Sequence, residues 1–195
     1  MATLMNTAEG SAQSYVLDST KSRFLVRATA TGLLSAFGHS PTIAIRNFTG
    51  EAWFRPQSPE QSSLRLEIDA ASLAVSGDVK EKDRKEMERE MRETVLETQR
   101  FPQIQFESSS VQAGVVAPGM YRLKIGGKLR LHGVERDVEI PCTVTVSDDG
   151  LRANGDFSIR QTDYGMRLVS AAGGTIKLKD ELKFTFDISG QRRKD

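Results

Sequence analysis

Residues 121–146 read YRLKIGGKLRLHGVERDVEIPCTVTV, and this stretch decides the fold class. Tyr121, Leu123, Ile125, Leu129 and Leu131 share one parity, while Arg122, Lys124, Lys128 and Arg130 share the other. A period of two is the mark of a strand with one buried face and one wet face. Gly127 takes an inward position in the run, where a glycine signals a bend, a bulge or a close approach to the backbone. His132-Gly133-Val134-Glu135 is a turn signal. Beyond it Val138, Ile140, Cys142, Val144 and Val146 again share one parity. Two alternating arms around a short turn make an antiparallel hairpin, and each arm is long enough to cross a barrel wall at a tilt.

The same one-sided alternation recurs outward from this hairpin. Phe24, Val26 and Ala28 face one way until Gly32 breaks the run. Ile43 with Ile45, then Phe48, Gly50, Ala52 and Phe54, then Leu64, Leu66 and Ile68 follow. Ile104 and Phe106 open another strand, and residues 108–118 read as a loop or weak strand end. Leu151, Ala153, Gly155, Phe157 and Ile159 share a parity, as do Ile176, Leu178, Leu182, Phe184, Phe186 and Ile188. Residues 161–174 form a long connection. Parallel sheets buried on both sides read as continuous apolar runs, and these do not. About eight one-faced antiparallel strands predict a mainly β barrel or sandwich.

One segment breaks the pattern. Residues 79–98 are dense in charge and helix formers and hold neither Gly nor Pro, so they predict one inserted, charged α-helix. Ser76 or Asp78 is placed to cap its start. Met87, Met91 and Val95 recur every four residues and give it a narrow apolar stripe, which predicts a helix lying on the barrel or closing one end.

The chain has 195 residues, with 27 Lys+Arg against 26 Asp+Glu and a formal net charge of +1. Residues 1–13 read as a flexible tail, 14–190 as a single domain and 191–195 as a short charged tail. The near-neutral balance gives no footprint for nucleic acid. The single cysteine excludes an internal disulfide. No apolar run reaches the roughly 18 residues of a membrane span. No export signal is visible at the start, so the expected location is the cytoplasm, or the periplasm if a leader is removed.

Six pieces in order carry a family likeness. They are Tyr15-Val16-Leu17-Asp18, Phe48-Thr49-Gly50, Leu66-Glu67-Ile68-Asp69-Ala70-Ala71-Ser72-Leu73, Phe101-Pro102-Gln103-Ile104-Gln105-Phe106, Gly127-Lys128-Leu129-Arg130-Leu131-His132-Gly133-Val134, and Phe157-Ser158-Ile159-Arg160-Gln161-Thr162-Asp163-Tyr164-Gly165-Met166. With them the chain resembles the YceI-like family. The resemblance implies an extended, lipocalin-like antiparallel β-barrel that holds polyisoprenoids and related long amphiphiles. It implies a long-chain isoprenoid or other lipid as partner and makes a homodimer reasonable. The chain departs from the family in lacking a visible export signal, in the Phe37-Gly38-His39-Ser40-Pro41 stretch and in its highly charged helix.

The candidate site is the inward face. It carries Phe24, Val26, Ile43, Ile45, Phe54, Leu66, Ile68, Ile104, Phe106, Leu123, Ile125, Gly127, Leu129, Leu131, Ile140, Phe157, Ile159, Phe184 and Phe186. Periodicity alone leaves a filled core and a hollow lumen equally open. The small inward residues Ala28, Gly50, Ala52, Gly127, Ala153 and Gly155 argue for space, and the resemblance favours a lumen. His39, Arg160 and Tyr164 are candidate contacts for a polar head group; against this, fixing the long connection is the plainer role for Arg160 and Asp163. His39 and His132 are the only histidines, too few for a metal site, and no cofactor is expected. His132 in its turn is placed for a structural hydrogen bond. Cys142 reads as a small buried hydrophobe without an activating neighbour. No catalytic constellation is legible. The expected function is noncatalytic binding or carriage of a polyisoprenoid, isoprenoid quinone or fatty acyl compound. An enzyme acting on such a lipid, or an interaction module with a packed barrel, is the alternative.

Overall fold

The structure, a computed structural model, describes residues 12–31, 40–171 and 176–193. Its strands are β1 (Gln13–Thr31), β2 (Thr42–Ala44), β3 (Phe48–Phe54), β4 (Ser63–Asp69), β5 (Ala74–Ser76), β6 (Gln103–Ala117), β7 (Met120–Leu131), β8 (Val134–Ser147), β9 (Gly150–Arg160), β10 (Ser170–Ala171) and β11 (Ile176–Arg192). One helix, α1 (Glu81–Glu90), lies between β5 and β6. The sheet runs β11-β9-β8-β7-β6-β4-β3-β1, and β1 pairs again with β11. Eight antiparallel strands therefore close into a barrel, with the short β2, β5 and β10 added at its margins.

The hairpin of β7 and β8 pairs from Met120↔Thr145 to Leu131↔Val134. Only His132 and Gly133 remain in its loop, and their φ values are 52° and 74°. Two successive left-handed residues are the type I′ turn, whose twist matches that of the strands it joins. The turn is thus two residues long rather than four, and Val134 and Glu135 already belong to β8.

Two strands are longer than their alternation predicts. β6 continues through residues 108–117, because that half still pairs with β7 although β4 stops at Arg65↔Glu107. β1 takes in the Tyr15-Val16-Leu17-Asp18 piece as one strand. Its ladder with β11 slips between Asp18 and Arg23, where the Asp18 carboxylate accepts from Thr20 N at 3.0 Å and Thr20 Oγ1 at 2.6 Å.

α1 starts later than the sequence predicts. Lys80 is its N-cap and makes no side-chain capping bond, so neither Ser76 nor Asp78 caps it. Its end widens into a π-type turn, Met91–Val95, with Leu96 N bonded to the Met91 carbonyl at 2.8 Å. Glu97 then turns left-handed (φ 44°), and Thr98 N reaches the Arg92 carbonyl at 2.9 Å, which ends the helix. No helix among the described residues is long and apolar enough to cross a membrane.

Candidate functional site

The barrel encloses a cavity of about 770 Å³. Its wall follows directly from the alternation: each strand turns its apolar parity inward. Every inward residue predicted above lines the cavity except Ile159 and the glycines Gly50, Gly127 and Gly155. Many of these side chains, among them Ile43, Leu66, Ile140, Phe157, Leu182 and Phe184, point inward yet remain only half-buried. In a barrel filled by its own side chains these positions would be fully covered. A cavity of this size is within the range of small-molecule sites.

One end is shut. Tyr15 is fully buried, and the Tyr121 ring packs against Phe54 at 4.9 Å. The Tyr121 hydroxyl donates to the Pro56 carbonyl at 3.4 Å, which ties the β3–β4 connection over this end. Phe24, Phe48, Phe184, Phe186 and Phe157 form an aromatic band across the lumen; Phe157 and Phe184 stack at 4.7 Å.

The helix covers the other end. His132 Nδ1–H donates to the Tyr164 carbonyl at 3.2 Å, since a carbonyl can only accept, and Nε2 faces the Glu97 carboxylate at 3.3 Å. The hairpin tip, the turn after the helix and the 3₁₀ turn Gln161–Tyr164 are thereby fastened together. The Phe101 ring lies 4.6 Å from His132 and fills the space beside Gly133. The bond to Arg100 first, then that to His132, holds the Glu97 carboxyl below the usual carboxylate range. Met91, Val95 and Leu96 turn into the cavity above this latch, while the exposed Met87, Asp83, Glu86 and Glu90 border it.

The inward glycines are not spare room. A Cβ on Gly127 would stand 2.4 Å from the Glu107 carbonyl oxygen and 2.7 Å from Phe106 Cζ, and one on Gly155 would stand 2.3 Å from the Pro141 oxygen. Gly127 therefore admits the Phe106 ring rather than a ligand. Ala28, Ala52 and Ala153 do line the cavity.

Arg160 and Tyr164 lie away from the lumen. Arg160 faces outward, its side chain 69% exposed, and pairs with Asp180 at 3.0 Å. Asp180 also accepts from Thr162 N at 2.9 Å and Thr162 Oγ1 at 2.7 Å, so this cluster fixes the connection after β9. Tyr164 is buried in the latch, and burial pushes its hydroxyl up to about 12. His39 lies outside the described residues. Cys142 does line the cavity, and burial raises its thiol to about 12, which leaves it protonated and unreactive at neutral pH. Among the described residues no group of three or more His, Cys, Asp or Glu is placed to hold a metal ion.

Gln161 is the polar residue that the sequence reasoning passed over. It is 3% exposed, lines the cavity, and donates Nε2–H to the Lys179 carbonyl at 2.9 Å. Its presence in the Gln161-Thr162-Asp163-Tyr164-Gly165 piece carried no signal of burial, because the piece reads as a polar turn.

A model of the YceI-like domain matches residues 15–190. The chain belongs to the YceI-like family. Among solved structures, this YceI-like chain is similar to Burkholderia cenocepacia BcnA, at 20% identity and a TM-score of 0.68, over 89% of this chain and 98% of that one. It is similar to a polyisoprenoid-binding domain from Saccharophagus degradans, at 15% identity and a TM-score of 0.65, over 92% and 98% of the two chains. The Campylobacter jejuni YCEI protein matches at 16% identity and a TM-score of 0.56, over 78% and 85%. A search of curated proteins finds no match.

Proposed function

We propose that the barrel binds and carries a long apolar amphiphile, its chain inside the lumen, without transforming it. The carrying observation is the cavity of about 770 Å³ whose inward walls stay half-buried. Burying a hydrocarbon chain against such walls stabilises the complex by about 25 cal/mol per Å² of apolar surface removed from water. Affinity then comes from many dispersed contacts, and no single polar group decides it. Membership in the YceI-like family and the likeness to a polyisoprenoid-binding domain support a lipid as the partner. The protonated Cys142 and the structural ties of His132 argue against a proton-transfer or thiol mechanism in the cavity.

Native mass spectrometry after gentle purification tests this reading. A retained lipid in one-to-one ratio is the expected result, and incubation should return the same lipid unchanged. A barrel that stays empty and refuses added prenols and fatty acyl compounds overturns it; a released product identifies an enzyme instead.

A further inference from the structure

α1 is lightly fastened to the barrel. None of its residues is buried, and its main packing partners are β5 and the π-type turn that follows it. The cavity reaches solvent beside it, because Met87 and its acidic neighbours border the cavity and are exposed. Among the described residues one hydrogen bond joins α1 to a strand: the Glu88 carboxylate accepts from Val75 N at 3.0 Å. Val75 sits in β5, the last strand on its side of the sheet, so Glu88 caps an edge N–H that no neighbouring strand takes. The two ends of α1 differ. Before it, Gly77 is left-handed (φ 98°) with open space around it. The Arg84 guanidinium donates to the Gly77 and Val79 carbonyls at 3.1 and 3.3 Å, which ties the helix to its own linker and not to the wall. After it, Met91 and Leu96 are buried, and the contact of Glu97 with His132 holds the turn to the hairpin tip. The π-type turn, Met91–Val95, stands between the light helix and this anchored end, and such turns are where helix axes kink.

We infer that α1 is a lid on the lumen, swinging on Gly77 and the π-type turn, and that the bond between Glu88 and Val75 is the catch that keeps it shut. The inference rests on the lumen being a lipid site and adds the route by which the lipid passes. Local stability is lowest where buried apolar contacts are few, so opening here costs far less than unfolding the barrel. Swinging α1 outward widens the mouth and breaks no pairing among the eight strands that close the wall. The catch acts on the empty and the loaded barrel alike. It therefore governs the rates of passage and not the affinity, since a change that favours both forms equally shifts no binding equilibrium.

The experiment follows parinaric acid, a naturally fluorescent polyene fatty acid, into and out of the delipidated full chain by stopped flow, beside amide hydrogen exchange read by NMR. Removing a hydrogen bond to a charged group should favour the open form by about tenfold. Glu88→Ala should therefore speed uptake and release by about tenfold each and hold the dissociation constant within about threefold. Glu81→Ala, which breaks the exposed pair with Lys85 on the same helix, should leave both rates unchanged. Ile140→Ala, a loss of wall, should raise release and the dissociation constant together and leave uptake alone. In the wild type the Val75 amide should exchange at least about tenfold faster than the amides of Leu123 and Ile125 in β7, and faster again in Glu88→Ala. Wild-type rates in Glu88→Ala overturn the lid. So does release that rises in step with the dissociation constant while uptake stays put, for the helix is then plain wall. A wild type that refuses the probe overturns the lipid site, and exchange at Val75 then decides the lid by itself: exchange as slow as in β7 overturns it. If Glu88→Ala does not fold, Glu88→Gln, which keeps the size and loses the charge, takes its place, and the wild-type Val75 amide decides the matter if neither folds.

Discussion

The ring of Phe106 occupies the space that a side chain at Gly127 would need, its Cζ 2.7 Å from where a Cβ would stand. The two residues sit on neighbouring strands, β6 and β7, next to the Phe106↔Leu129 pair of the ladder. The lumen at this height is therefore bounded by an aromatic ring lying over backbone. Gly127→Ala is expected to destabilise the barrel by about 1–3 kcal/mol, because the neighbouring Glu107 carbonyl belongs to the ladder and has little freedom to yield. Chemical denaturation checks it; a variant as stable as the wild type would show that the strands separate more easily than this packing implies.

Asp180 carries the acid sensitivity of the connection after β9. Hydrogen bonds from the Thr162 side chain and backbone, with help from Arg160, hold its carboxyl below the usual range. A carboxyl depressed in the folded state contributes stability above its unfolded value, near pH 4, and loses that contribution as the pH falls through the folded value. Asp180→Asn should therefore lower the melting temperature at pH 7 and converge on the wild type in strong acid. Parallel melting curves across that range would remove Asp180 from any role in acid unfolding.

Cys142 faces the lumen with a thiol pushed to about 12. At pH 8 only about one part in ten thousand is then thiolate, so reaction with an aromatic disulfide should run roughly a thousandfold slower than in denaturant. Fast modification of the folded protein would mean that the thiolate is stabilised by something the lumen does not display.

The helix should answer to its stripe and not to its charges. Met91 is 8% exposed and turned into the cavity, so Met91→Glu is expected to cost about 2–4 kcal/mol through lost burial and a desolvated charge. Exchanging Glu81 and Lys85, whose side chains are 77% and 75% exposed, should stay within about 0.5 kcal/mol. Equal losses from the two changes would contradict the way the helix sits.

The barrel was legible wherever a strand has one wet face and one dry face, and illegible where that contrast fails. The hairpin of β7 and β8 announces itself because Leu123 and Ile125 are buried between exposed Arg122 and Lys124. The outer half of β6 does not: residues 112–117 are exposed on both faces, Val115 by 71%, because β4 no longer flanks them. β1 hides its length behind the looped residues after Asp18. At the site, parity found the wall but could not tell a glycine that opens space from one that admits a neighbour's ring. Nor could it see that Gln161, in a run of turn residues, is buried. Asp83, Glu86 and Glu90 were within reach, since the spacing that puts Met87 and Met91 on one face puts them there too.

Closure of the barrel by β1 and β11 has a consequence for how the chain matures. Tyr15 pairs with Arg192 and Phe24 with Phe186, so the first strand to be synthesised finds its main partner only in the last. Until that partner emerges, β1 has just its shorter pairings with β3 and β2. Pairings between distant parts of a chain are slow to form because loop closure comes before any reward. The nascent chain thus carries a sticky, half-finished seam until β11 has been synthesised, and only then can its interior be sealed.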